Sequence, residues 1–261
     1  MKYERIERAT FLERPNRFIA YARIAGKQET IHVKNTGRCA ELLVPEAEIF
    51  VQESDNPERK TKWDLIGVRK GDRLINMDSQ IPNKVVEEWL RAGNLFLEPV
   101  AVRPETTYGN SRFDFYVESG ETKAFIEVKG VTLEEDGVVR FPDAPSERAV
   151  KHVEELIRAK KEGYDAYVFL VIQMKGVRYF TPNMDTQPEF GEVLKKAKAA
   201  GVKILAYDCQ VTEDSIKIDE EVPVVLENPI LWETVDPIVA WYRENKRDLP
   251  WRHDVTRSEE H

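Results

Sequence analysis

The chain has 261 residues, 33% of them charged and 41% apolar, with a formal net charge of −8 and two cysteines. That length can bury one large or two moderate cores. It contains no run of 18 apolar residues that could cross a membrane as a helix, and Met1-Lys2-Tyr3-Glu4-Arg5 leads into no apolar segment of the secretory kind. Cys39 and Cys209 lack CxxC spacing, so the expectation is a cytoplasmic protein with reduced thiols and no membrane partner.

In chain order, the first 80 residues read as short β-rich runs: Phe18 to Arg23, Thr30 to Val33, Glu48 to Val51 and Trp63 to Arg69. Turns at Ala25-Gly26, Thr36-Gly37 and Asp55-Asn56-Pro57 separate them, a spacing that suits a small barrel. Asn83 reads as the N-cap of a helix from Lys84 to Ala92 that Gly93 ends. Strands are predicted at Leu95 to Val102, Arg112 to Val117 and Lys123 to Val128. A helix follows from Pro145 to Gly163, with Asp143 as its cap. Ala166 to Gln173 reads as a buried strand, Pro188 to Ala200 as a helix closed by Gly201, and Val202 to Tyr207 as a strand. The fold class is α/β, with a barrel over residues 1–80, an α/β part over 81–228 and a tail over 229–261.

The chemistry concentrates where Arg112-Phe113-Asp114-Phe115 is followed by Phe125-Ile126-Glu127-Val128-Lys129. Ser119-Gly120 between the two runs is turn chemistry, so they form a hairpin. Strand side chains alternate, which puts Glu127 and Lys129 on one face with Asp114 close by. Two carboxylates that hold a divalent cation, with an ammonium beside them, suit phosphodiester hydrolysis. The same short pattern also reads as a surface hairpin carrying ordinary charges. Glu87, Glu88 and Glu105 are candidates for a third ligand, and Lys151 and His152 stand beside the apolar face of the helix after the hairpin.

The charge is uneven, with a slight cationic excess over residues 1–80 and an acidic excess beyond. Nucleic-acid binding needs a basic face, not a basic protein. Candidates are Arg14, Arg17, Asn35, Arg38, Arg59 and Lys60 in the first part, with Arg112 and Lys151 beside the carboxylates. Phe18 and Trp63 lie next to cations, as stacking platforms would; core aromatics are the other reading. Asn35-Thr36-Gly37-Arg38 is either a tight turn or a contact to backbone phosphate.

Taken together, Asn35-Thr36-Gly37-Arg38, Arg59-Lys60, Tyr108-Gly109 with Ser111 to Phe115, Glu127-Val128-Lys129 with Val131-Thr132-Leu133, Phe141-Pro142-Asp143-Ala144 and Lys151-His152 resemble the sugar fermentation stimulation protein family, SfsA. The resemblance runs from about residue 10 to about residue 225. It implies an OB-like β-barrel followed by an α/β domain of the PD-(D/E)xK nuclease type. It also implies DNA binding, with Asp114, Glu127 and Lys129 as the catalytic set and Asp114 and Glu127 as ligands of Mg²⁺ or Mn²⁺. The expected partner is DNA, with RNA as a second candidate and a homodimer as a further expectation. The alternative is a non-catalytic, regulatory DNA-binding protein that retains the nuclease fold. Two departures stand out: Phe113 replaces the proline of the first motif, and Gly130 stands where a polar residue such as asparagine is expected. In the tail, Asp236 to Arg252 resembles the opening of MutY-type adenine DNA glycosylases, without the residues their chemistry needs. The other reading of this segment is an amphipathic helix with Ile238, Val239, Trp241 and Tyr242 on one side.

Overall fold

A computed structural model describes residues 1–35, 37–56, 58–96 and 101–227. The tail, with its glycosylase-like stretch, lies outside the described residues. The first six strands are β1 (Ile6–Asn16), β2 (Ile19–Ile24), β3 (Lys27–His32), β4 (Glu48–Glu53), β5 (Trp63–Lys70) and β6 (Arg73–Asn76). They form one antiparallel sheet in the order β3-β2-β1-β4-β5-β6, and a parallel pairing of β3 with β5, Ile31 opposite Trp63, closes five of them into a barrel. Closure removes the free edges that a short twisted sheet would otherwise present. Ala20, Ala22, Ile31, Ile49, Val51, Leu65 and Val68 fill its interior.

Helix α1 (Ile81–Arg91) leads into the second sheet. That sheet comprises β7 (Ala101–Tyr108), β8 (Ser111–Ser119), β9 (Thr122–Val131), β12 (Asp165–Ile172), β14 (Lys203–Val211) and β15 (Ile216–Glu221). Its order is β15-β14-β12-β9-β8-β7. The centre is parallel, β9 to β12 to β14, and both flanks are antiparallel. The central strand β12 is apolar and buried almost throughout, as a strand covered on both faces must be. The buried residues of α1 pack into one cluster. Those of α2 (Glu147–Lys161) and α3 (Pro188–Ala199) join the other, which also contains the barrel interior. A small sheet of β10 (Leu133–Glu135), β11 (Val138–Phe141) and β13 (Tyr179–Pro182) lies between these elements in sequence.

Three local expectations are corrected. Helix α1 starts at Ile81, with Gln80 as its N-cap, so Asn83 lies inside the first turn and its side chain is free to act elsewhere. Ser146, not Asp143, caps α2, with its hydroxyl accepting from the Ala149 amide at 3.2 Å. Of the strand expected at Leu95 to Val102, Leu95 and Phe96 lie in no strand, and the described β7 spans Ala101–Tyr108, through Pro104. Pro104 is tolerated because β7 is an edge strand, where a missing N–H costs the sheet no internal hydrogen bond.

Candidate metal centre

Strands β8 and β9 form the expected hairpin, turning at Gly120-Glu121 with Ser119 opposite Thr122. The register places Phe115 opposite Ile126, which carries Asp114 to the level of Glu127. Asp114 is held from two sides. Its Oδ2 accepts from the Val128 amide and its Oδ1 from Asn83 Nδ2, each at 2.7 Å. Asn83 therefore orients a site residue instead of capping its helix. Burial, with the Glu127 charge beside it, pushes the Asp114 carboxyl above the usual aspartate range; the Val128 amide, Lys129 and Asn83 offset part of that rise.

Glu127 is only 2% exposed. Its Oε1 accepts from Lys129 Nζ at 2.6 Å and from His152 Nδ1 at 2.5 Å. Arg148 Nε lies 3.4 Å from His152 Nε2, which makes Nε2 an acceptor and leaves Nδ1 to carry the proton given to Glu127. Burial opposes the Glu127 charge, but His152 and Lys129 outweigh it and hold the carboxyl below its usual value. The pair is thus pulled apart, with Asp114 raised and Glu127 lowered, as carboxylates sharing one site are. Glu127 Oε2 is buried and accepts no hydrogen bond. A buried carboxylate oxygen without a protein partner is uncommon and is met by a water or an ion, and two carboxylates at one site are the oxygen ligands a hard divalent cation takes. The residues fit the metal that the motif implies.

His152, which the sequence offers as a phosphate contact or as part of an exposed helix face, is instead buried beside Glu127. It is buried on the same stripe of α2 as Ala149, Val153, Leu156 and Ala159. A histidine at a core position of an amphipathic helix was the available signal. The three candidate third ligands are each held in an ion pair: Glu87 with Arg91, Glu88 with the N-terminal ammonium and Glu105 with Arg112. Gly130 has a steric cause, since a Cβ there would strike Gln173 Oε1 and Pro82. Gln173 cannot yield easily, because its Nε2 donates to Asn76 and Asp78.

The basic candidates separate into two groups. Arg14 donates to the carbonyls of Gly37, Arg38, Arg17 and Asn35 at 2.7–2.9 Å, so its guanidinium shapes this junction and has little left for phosphate. Arg59 is bidentate to buried Asp64, at 2.7 and 2.9 Å, and is likewise structural. Asn35 makes a tight turn, its Oδ1 accepting from the Gly37 amide. Arg17, Arg38, Lys60, Arg112 and Lys151 are exposed. Lys151 reaches the Asn110 carbonyl at 3.5 Å, which brings it to the turn carrying Arg112. Phe18 is 51% exposed and keeps the stacking role open, whereas Trp63 is 7% exposed and belongs to the barrel core. Cys39 and Cys209 are both buried free thiols.

A closed barrel followed by a mixed sheet, with a carboxylate pair, Glu127 of it buried, and a lysine on adjacent strands, defines an OB-plus-α/β protein. Comparison with known proteins gives the particular family. Residues 12–77 match the SfsA N-terminal OB domain, and residues 80–215 match the sugar fermentation stimulation protein RE domain. The chain is 62% identical over 226 residues to a sugar fermentation stimulation protein homolog of Clostridium beijerinckii, covering 87% of this chain and 100% of the relative. A homolog from Desulfitobacterium hafniense is 60% identical over 226 residues, with 87% and 99% covered. The solved structure of Pyrococcus furiosus SfsA in complex with Ca²⁺ superposes with a TM-score of 0.79 at 28% identity, covering 86% of this chain and 98% of that one. The chain belongs to the SfsA family. The two family matches end at residue 215, so the glycosylase-like reading of the tail gains no support from them.

Proposed function

We propose that this chain is a divalent-metal-dependent nuclease that binds DNA, or RNA, and hydrolyses its phosphodiester bonds. The observation that carries this reading is the buried, unpartnered Glu127 Oε2 in a site that also holds Asp114 and Lys129. Asp114 and Glu127 would hold Mg²⁺ or Mn²⁺. The cation would supply Lewis-acid polarisation of the phosphoryl oxygen and a bound water of lowered pKa. Asn83 and the Val128 amide fix Asp114, and His152 fixes Glu127, so both carboxylates are positioned before any ligand arrives. Lys129 offsets the negative charge that develops on the phosphate oxygens. That a relative from Pyrococcus furiosus was solved with Ca²⁺ supports a divalent cation for the family. Residues 1–80 and the exposed Arg17, Arg38, Lys60, Arg112 and Lys151 would hold the strand through its phosphates.

A second reading, strand binding without cleavage, draws on one observation: Glu127 Oε1 already satisfies both Lys129 and His152. The deciding experiment incubates labelled single- and double-stranded DNA and RNA with the protein in EDTA, Mg²⁺ and Mn²⁺. Cleavage that needs the cation and falls at least about 100-fold in Asp114→Ala and Lys129→Ala supports the nuclease. Binding without cleavage under every condition supports the second reading.

A further inference from the structure

Beyond Lys129 the chain runs through Gly130 to Thr132 and becomes one wall of a separate cleft of about 190 Å³. The opposite wall comes from the barrel side, at Asn35 and Gly37. Arg140, Phe141 and Asp143 line a further side, with Ser79, Leu133 and Gln173 completing the cleft. These residues come from separate stretches of sequence, and the structure holds them in place from outside the cleft. Arg14 grips the carbonyls of the Asn35–Arg38 turn. A Cβ at Gly37 would run into the Asp143 carboxylate, so glycine here leaves that carboxylate its place against the turn. Among the described residues no side chain or amide donates to the Asp143 carboxylate, although it faces a cleft lined by polar groups. Asn35 has committed its Oδ1 to the Gly37 amide, which leaves its Nδ2 as a donor.

The chemistry of this lining selects among ligands. A carboxylate repels phosphate, so the cleft does not hold strand backbone. It asks for a planar group with two adjacent N–H donors for Asp143, and with an acceptor beside them for Asn35 or Arg140. Phe141 supplies an apolar wall. Guanine offers that order on its Watson–Crick edge: two donors, N1–H and the N2 amino group, next to the O6 acceptor. Adenine and cytosine each present an acceptor where a second donor is needed, and thymine presents two carbonyls.

We propose that this cleft receives an unpaired guanine base from the strand whose backbone lies at Glu127 and Lys129. The proposal rests on the nucleic-acid reading above and adds a base preference to it. Bases in single strands can be splayed out of the stack and hydrogen-bonded on their Watson–Crick edges, without the unpairing cost a duplex imposes. The cleft therefore makes the protein prefer single-stranded DNA or RNA with a guanine at a fixed position from the phosphate at the metal site.

The test is fluorescence anisotropy in Ca²⁺ with a labelled dodecamer of thymidines carrying one central dG, dA or dC. The dG oligomer should bind about tenfold more tightly than the other two, as one bidentate base contact gives. In Asp143→Asn the dG-over-dA ratio should fall below about twofold. Arg140→Met, which removes a donor to O6 at a half-exposed position, should lower the same ratio and serves if the first variant folds poorly. Equal binding of the dG and dA oligomers, or a ratio that survives in both variants, overturns the proposal. Failure of the native protein to bind any oligomer sinks the nucleic-acid reading itself. Guanosine 5′-monophosphate binding as tightly as the dG oligomer would make the ligand a free nucleotide and overturn the strand assignment.

Discussion

Two clusters of carboxylates, each with a lysine, lie in the same sheet of this protein, and they differ in what the lysine does. In one, Asp208, Asp219 and Glu220 place oxygens within 4.8 Å of one another, close enough for a metal ion. Lys175 Nζ already sits among them, 3.1 Å from Asp208, 2.6 Å from Asp219 and 2.7 Å from Glu220. Desolvation would lower the Lys175 pKa, but the three carboxylates outweigh it and raise it. A cation bound there would have to displace an ammonium that three anions hold. In the other cluster Lys129 engages a single oxygen of Glu127, the second oxygen is left buried and unpartnered, and Asp114 is pushed toward its neutral form. Counting acidic groups points to the first cluster. Accounting for each oxygen points to the second.

The largest effect should come from removing ligands. In calorimetric titration with Mn²⁺, Asp114→Asn and Glu127→Gln should each weaken binding at least about 100-fold, more than the 10–100-fold typical of residues that merely support a ligand. Asp219→Asn should leave it within about twofold. Binding that follows Asp219 instead would reverse the comparison.

Lys175→Met gives a smaller effect and sharpens the contrast. It leaves Asp208, only 5% exposed at its side chain, facing two anions. Lys175 itself is 39% exposed, so solvent screening keeps the loss to about 1 kcal/mol, a few degrees in melting temperature. The variant should then gain a second response to added Ca²⁺, because the acidic trio has lost its resident cation. A variant that melts as the native protein does and gains no Ca²⁺ response would show that the ammonium is not what fills the first cluster.

The smallest effect is a pH dependence confined to the metal pair. Since the folded-state value of Asp114 is raised, its protonation favours the fold below the ordinary aspartate value, and that contribution is lost as pH rises through the raised one. A bound cation needs the ionised form, so the rise in melting temperature on adding Mn²⁺ should grow with pH across that window. Glu127, held low, is already ionised there. Asp114→Asn should flatten the slope; a slope unchanged in that variant would place the titrating group elsewhere.

The parts of this molecule that could be read from sequence are those where local pattern and tertiary role agree. The apolar run of β12, the Gly201 that ends α3 and the turn at Gly120 each announce themselves, and Asp114, Glu127 and Lys129 follow from alternation along a hairpin. What escaped depends on neighbours distant in the chain. Strand β1 is polar along much of its length and has Pro15 near its end, so only its pairing with β2 and β4 makes it a strand. β7 carries Pro104 and exposed polar residues, which an edge position permits. Arg14 and Arg59 look like any basic residues of a binding face until the carbonyls and the carboxylate they hold come into view. Asn83 had two possible partners, its own helix and Asp114, and sequence gives no distance between them.

Strand β9 has a consequence for measurement. It pairs with β12 through eight consecutive positions, Ala124 opposite Asp165 to Val131 opposite Ile172. Residues along such a strand advance by about 3.3 Å each, so roughly 10 Å separates Glu127 from Gly130. No hinge lies between them. The strand is a ruler between the carboxylate site at Glu127 and the cleft wall at Gly130, and its length cannot be tuned by loop motion or by side-chain substitution. Only an inserted residue would change it, and the period-two alternation would then turn every mark beyond the insertion to the other face.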